Sequence, residues 1–67
     1  MKLQKFIEMI GEYTDPNMKV VIHSPWCIKN LVDERLINVG YRIADMKDMK
    51  VLFFNICDGK LMIEVGH

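Results

Sequence analysis

The sequence predicts an α+β fold: an N-terminal amphipathic helix packed on a small antiparallel sheet of about four strands that ends in a C-terminal hairpin. Three observations carry this. Apolar residues near the start recur with helical period, those in the second half alternate with period two, and two apolar runs near the end flank Asp58-Gly59. The length of 67 residues fits a single domain, residues 1–67.

Leu3, Phe6, Ile7, Ile10 and Tyr13 share one face of a helix over residues 2–13. Lys2 and Lys5 near its N-terminus and Glu8 and Glu12 towards its C-terminus oppose the macrodipole, and Gly11 costs roughly another 1 kcal/mol relative to alanine. Such a helix depends on burial of its apolar face. Thr14-Asp15-Pro16-Asn17 is a turn cluster, because the residue before a proline is pushed out of the α region. Lys19-Val20-Val21-Ile22-His23 follows as a β-branched strand, ended by Ser24-Pro25.

Residues 25–35 support two readings. Ser24 as N-cap and Pro25 at the first helical position suit a short helix with Trp26, Leu31 and Val32 on its inner face. A loop that carries Trp26 at the surface fits equally. Beyond Leu36, the alternation of Ile37, Val39, Tyr41 and Ile43 with Asn38, Gly40, Arg42 and Ala44 predicts a half-buried strand, and residues 45–50 a connecting turn.

The hairpin is the strongest local signal. Asp58-Gly59 suits a type I′ turn. A two-residue loop then sets Cys57 against Lys60, Ile56 against Leu61, Phe54 against Ile63 and Leu52 against Val65, all of the last three pairs apolar and on one face. The other face carries Val51, Phe53, Asn55, Cys57, Lys60, Met62 and Glu64. One helix covers only one face, so Val51, Phe53 and Met62 form an apolar strip that residues 25–35 or another chain must cover.

Composition narrows the function classes. Nine basic and nine acidic side chains cancel, which provides no field for nucleic-acid phosphates and points to a protein partner. About half the residues are apolar, enough for a core, yet a chain this short buries only about 60% of its unfolded surface, so a partner subunit would add stability. No run approaches the roughly 18 apolar residues of a membrane span, and residues 1–11 lack the apolar core of a secretory signal. The expectation is a cytoplasmic protein with Cys27 and Cys57 reduced, one Cys27–Cys57 disulfide being the alternative.

The sites for chemistry are few. Val20-Val21-Ile22-His23-Ser24-Pro25-Trp26-Cys27 resembles the strand and leading cysteine of thioredoxins and glutaredoxins, but Asn30 stands where the resolving cysteine belongs and no proline follows Pro25. His23, Cys27, Cys57 and His67 number enough for a structural zinc, though neither pair has a familiar short spacing. The carboxylates Asp33, Glu34, Asp45 and Asp48 lie in polar segments and read as solvated charge. No catalytic residue, cofactor or small-molecule substrate is expected.

Met1-Lys2-Leu3-Gln4-Lys5-Phe6-Ile7-Glu8, a short strand, and the hairpin Val51-Leu52-Phe53-Phe54-Asn55-Ile56…Asp58-Gly59-Lys60-Leu61-Met62-Ile63-Glu64-Val65 resemble in style many small proteins of bacterial phages and prophages. That class includes inhibitors of host defence, anti-CRISPR proteins among them. The resemblance implies a non-enzymatic module that binds a larger host protein, while the composition also allows pairing with itself as a homodimer. Trp26, Val51, Phe53 and Met62 are the expected apolar anchors, with Arg42, Lys60 and Glu64 at the rim. The alternatives are a metal- or thiol-dependent protein using Cys27, Cys57, His23 and His67, and a self-assembling structural subunit.

Overall fold

The computed structural model describes residues 1–66. In chain order the elements are α1 (Leu3–Gly11), β1 (Lys19–His23), β2 (Val32–Arg35), α2 (Leu36–Arg42), β3 (Lys50–Cys57) and β4 (Lys60–Gly66). The four strands form one sheet in the order β2-β1-β4-β3. Both β1–β2 and β3–β4 are antiparallel, while the central pair β1–β4 is parallel. The α+β class, the N-terminal helix and the closing hairpin are as the sequence predicts; the sheet is mixed rather than wholly antiparallel.

The core lies between one face of this sheet and the two helices. Val20 and Ile22 of β1 and Leu61, Ile63 and Val65 of β4 point to that face and are buried against Leu3, Phe6, Ile7, Leu36, Val39 and Ile43. Helix α1 is shorter than the apolar pattern suggests: it ends at Gly11, and Tyr13 stands in solvent instead of on the inner face.

Residues 36–42 are a helix, not the expected strand. Leu36, Val39 and Ile43 are spaced by three and four residues, so they satisfy a helical stripe as well as a partial alternation. Burial decides between the two: those three are buried, while Ile37 and Tyr41 are 61% and 86% exposed. The helix has no side-chain cap. Its first amides are satisfied from a distance instead: Leu36 N–H donates to the Met18 carbonyl and Ile37 N–H to the Pro16 carbonyl, both at 2.9 Å. Helix α1 is capped likewise, with Leu3 N–H donating to the Met49 carbonyl and Gln4 N–H to that of Lys47. The turns at 14–18 and 45–49 therefore serve as caps for helices remote from them in sequence.

Residues 25–31 form a turn-rich loop that carries Trp26 largely exposed, as the second reading has it, and residues 32–35 add strand β2, which neither reading includes. Only Val32 of β2 is buried, and the remaining Asp-Glu-Arg is the polar sequence of an edge strand.

Gly40 sits inside α2, and apart from the helix's own nearby backbone nothing lies within 4 Å of where a Cβ would stand. Gly40→Ala should therefore stabilise the fold by about 0.5–1 kcal/mol, through the helix entropy that glycine forfeits. A thermal melt should show a Tm raised by roughly 4 °C. An unchanged or lowered Tm would contradict helical packing of this segment.

The hairpin turn has the expected geometry. Asp58 and Gly59 adopt φ of 53° and 74°, both left-handed, as a type I′ turn requires. The pairs Cys57–Lys60, Ile56–Leu61 and Phe54–Ile63 occur in the expected register. Beyond them a β-bulge between Val51 and Phe53 shifts the ladder, so that Val51, not Leu52, faces Val65.

Candidate functional site: the uncovered sheet face and the β3 edge

The bulge redistributes the apolar residues of β3. Val51 pairs with the buried Val65, turns to the helix side and packs against the core, which removes it from the expected uncovered strip. Leu52 takes its place. A Cβ on Gly66 would lie 2.7 Å from a Leu52 methyl, so Leu52 folds over the glycine on the face that also carries Glu64 and Met62.

That face has no helix over it. Phe53, Asn55 and Cys57 of β3 share it with Lys60, Met62 and Glu64 of β4 and with Lys19, Val21 and His23 of β1. Phe53 is well exposed and Met62 half-buried, and Lys60 and Glu64 flank Met62 along β4. Val21, hemmed by its neighbours Met62 and Asp33, is buried even here. Lys19 and Asp33 form an ion pair at 3.3 Å on the same face, which also carries Arg35 opposite Lys19.

Of the seven sequence-predicted binding residues, Phe53, Met62, Lys60 and Glu64 thus come together. Arg42 does not join them: it lies in the last turn of α2, in the helix layer. Trp26 follows β1 in the loop at residues 25–31 and is mostly exposed.

Strand β3 also exposes apolar groups on its other face, because it is the edge strand of the sheet. As the sheet's outer strand it runs past the cover of α1: Phe54 and Ile56, on the helix side, are 53% and 66% exposed. Phe54 leans on Phe6 with ring centroids 4.8 Å apart. Between α1 and β3 lies an apolar groove of about 490 Å³, walled by Met1, Phe6 and Met9 on one side and by residues 51–54 of β3 on the other.

The cysteines are far apart. Cys57 pairs with Lys60, which pairs with Lys19 at the start of β1, whereas Cys27 follows His23 at the end of β1. The strand's length, about 13 Å, separates the two ends, and both thiols are free. No group of three or more His, Cys, Asp or Glu side chains able to hold a metal occurs among the described residues. His67, the fourth residue of the zinc alternative, lies outside them. Among the described residues no helix is long and apolar enough to cross a membrane.

Comparison with known proteins returns no match: no family model, curated protein or solved structure is significantly similar to the chain.

Proposed function

We propose that this chain is a non-enzymatic protein-binding module that engages a larger protein through the open sheet face around Phe53, Leu52 and Met62. The observation that carries the reading is the placement of these apolar side chains on the one face without a helix, framed by Lys60 and Glu64. An exposed apolar centre inside a polar frame with charges of both signs is the anatomy of a protein interface. A polyanion would need a basic field, and the net charge is zero. In its most concrete form, the partner is a host protein and the module an inhibitor of a defence nuclease of the anti-CRISPR type, as the phage-like style of the sequence suggests.

Phe53→Asp and Met62→Asp test the surface. Each places a charge at the centre of the contact and leaves the buried face of the hairpin untouched. Binding to the partner should fall by at least about tenfold, the equivalent of 1.4 kcal/mol, with far-UV circular dichroism unchanged. Affinity retained in both variants would reject this face as the contact. The cysteine- and histidine-based alternative gains no support from the geometry, because Cys27 and Cys57 lie at opposite ends of the sheet.

A further inference from the structure

We propose that two copies of this chain pair antiparallel along the free edge of β3, about an axis at Asn55, and so join their sheets into one. This rests on the reading of the chain as an interaction module and names one partner, a second copy.

The hydrogen-bonding direction of each β3 residue follows from the turn. Cys57 and Lys60 close a two-residue loop and are a hydrogen-bonded pair, and the alternation of an antiparallel ladder gives Asn55 and Phe53 the same inward role. The N–H and C=O groups of Phe54 and Ile56 therefore point outward, away from β4. Further back the outer edge is already occupied: Lys2 bridges to Lys50, and Val51 N–H donates to the Met1 carbonyl at 2.9 Å. The bulge at Leu52 and the turn at Asp58 bound what remains open.

This window is self-complementary. An antiparallel copy aligned on Asn55 sets Phe54 against Ile56 of the second copy, and Ile56 against its Phe54, so all four outward backbone groups on each copy are paired at once. The side chains agree with the backbone. Phe54 and Ile56 lie on the helix side, where each covers the other's exposed flank beside the Met1–Met9 groove. Asn55 meets Asn55, and Phe53 meets Cys57, on the open face.

The edge also lacks the usual protection. Natural edge strands carry lysines or prolines, and residues 51–57 contain neither, nor any charge. The two phenylalanines expose roughly 200 Å² between them. With Leu52, Ile56, Met1 and Met9 comparably exposed, each copy offers on the order of 500 Å², or about 1,000 Å² for the pair, the lower limit of a specific interface. The pair should accordingly dissociate on dilution.

Light scattering across a dilution series tests the pairing. At high concentration the mass should be twice the 7.9 kDa of the chain, and Ile56→Lys should return it to one chain with the circular dichroism spectrum retained. A second measurement does not depend on that variant folding. Residues facing across a non-hydrogen-bonded antiparallel pair have Cα atoms about 4.5 Å apart, within disulfide reach. Asn55→Cys, with Cys27→Ser and Cys57→Ser, should therefore oxidise to a covalent dimer. A monomer at every concentration would overturn the pairing, and so would a dimer that Ile56→Lys leaves intact. Met62→Asp keeps the two readings apart, since Met62 lies on β4, away from the edge. Dimers that persist in Met62→Asp while partner binding is unaffected would support the pairing and remove the proposed contact face. A monomeric wild type that loses its partner on Met62→Asp would do the reverse.

Discussion

Ile63→Ala is expected to cost about 3 kcal/mol, a large part of the stability of so short a chain. Ile63 lies on β4 between Ile22 of β1 and Phe54 of β3, with none of its side chain reaching solvent. Truncation loses the transfer energy of three carbons and leaves a void that a sheet fixed on both sides cannot close. A chain of 67 residues has a total stability of only about 3–10 kcal/mol, so this one substitution removes roughly a third of it or more. Urea denaturation should show the midpoint lowered by on the order of 2–3 M. Ile56→Ala and Phe54→Ala point to the same face from the outer strand, half in solvent, and should cost less than half as much in a monomer. These melts need one fixed protein concentration, because self-association makes apparent stability concentration-dependent. Equal losses at Ile63 and Ile56 would mean that the core extends over β3.

The elements legible in the sequence are those whose signals are local. The period of Leu3, Phe6 and Ile7 in α1, the β-branched run of β1 and the Asp58-Gly59 turn all depend on near neighbours, and the hairpin register followed from loop length. What escaped has its cause elsewhere in the chain. Helix α2 has no capping side chain, its first amides being satisfied by Pro16 and Met18 carbonyls, and Gly40, Ile37 and Val39 all lower its helix propensity. Strand β2 has one buried side chain in four and so gives no alternation. The bulge at Leu52 is decided by packing: it places Val51 over the core and sends Leu52 out over Gly66, where the absence of a side chain makes room. The candidate site divides on the same line. Phe53, Met62, Lys60 and Glu64 share a face by strand periodicity alone, whereas Val51 departs with the bulge and Arg42 with the helix. The open edge of β3 was unreadable because strand order is a property of the whole sheet.

The second large effect separates the helix from the strand that the alternation imitates. Val39→Asp should prevent folding, while Ile37→Asp and Tyr41→Asp should each change stability by less than about 0.5 kcal/mol. In a strand, positions 37, 39 and 41 point the same way, and all three substitutions would do comparable damage. In α2, Val39 shares its face with Leu36 and Ile43 and is fully buried, whereas Ile37 and Tyr41 point to solvent. A carboxylate at Val39 would be buried in the apolar core cluster, which costs several kcal/mol, comparable to the whole stability of the chain. Val39→Ala offers a graded version, losing about 2 kcal/mol while still folding enough for a urea midpoint to be measured. If Ile37→Asp proved as damaging as Val39→Asp, residues 36–42 would be a strand. The face of β1 and β4 that buries Val20, Ile22 and Ile63 would then have α1 alone to cover it, and one helix is too narrow to keep all three dry.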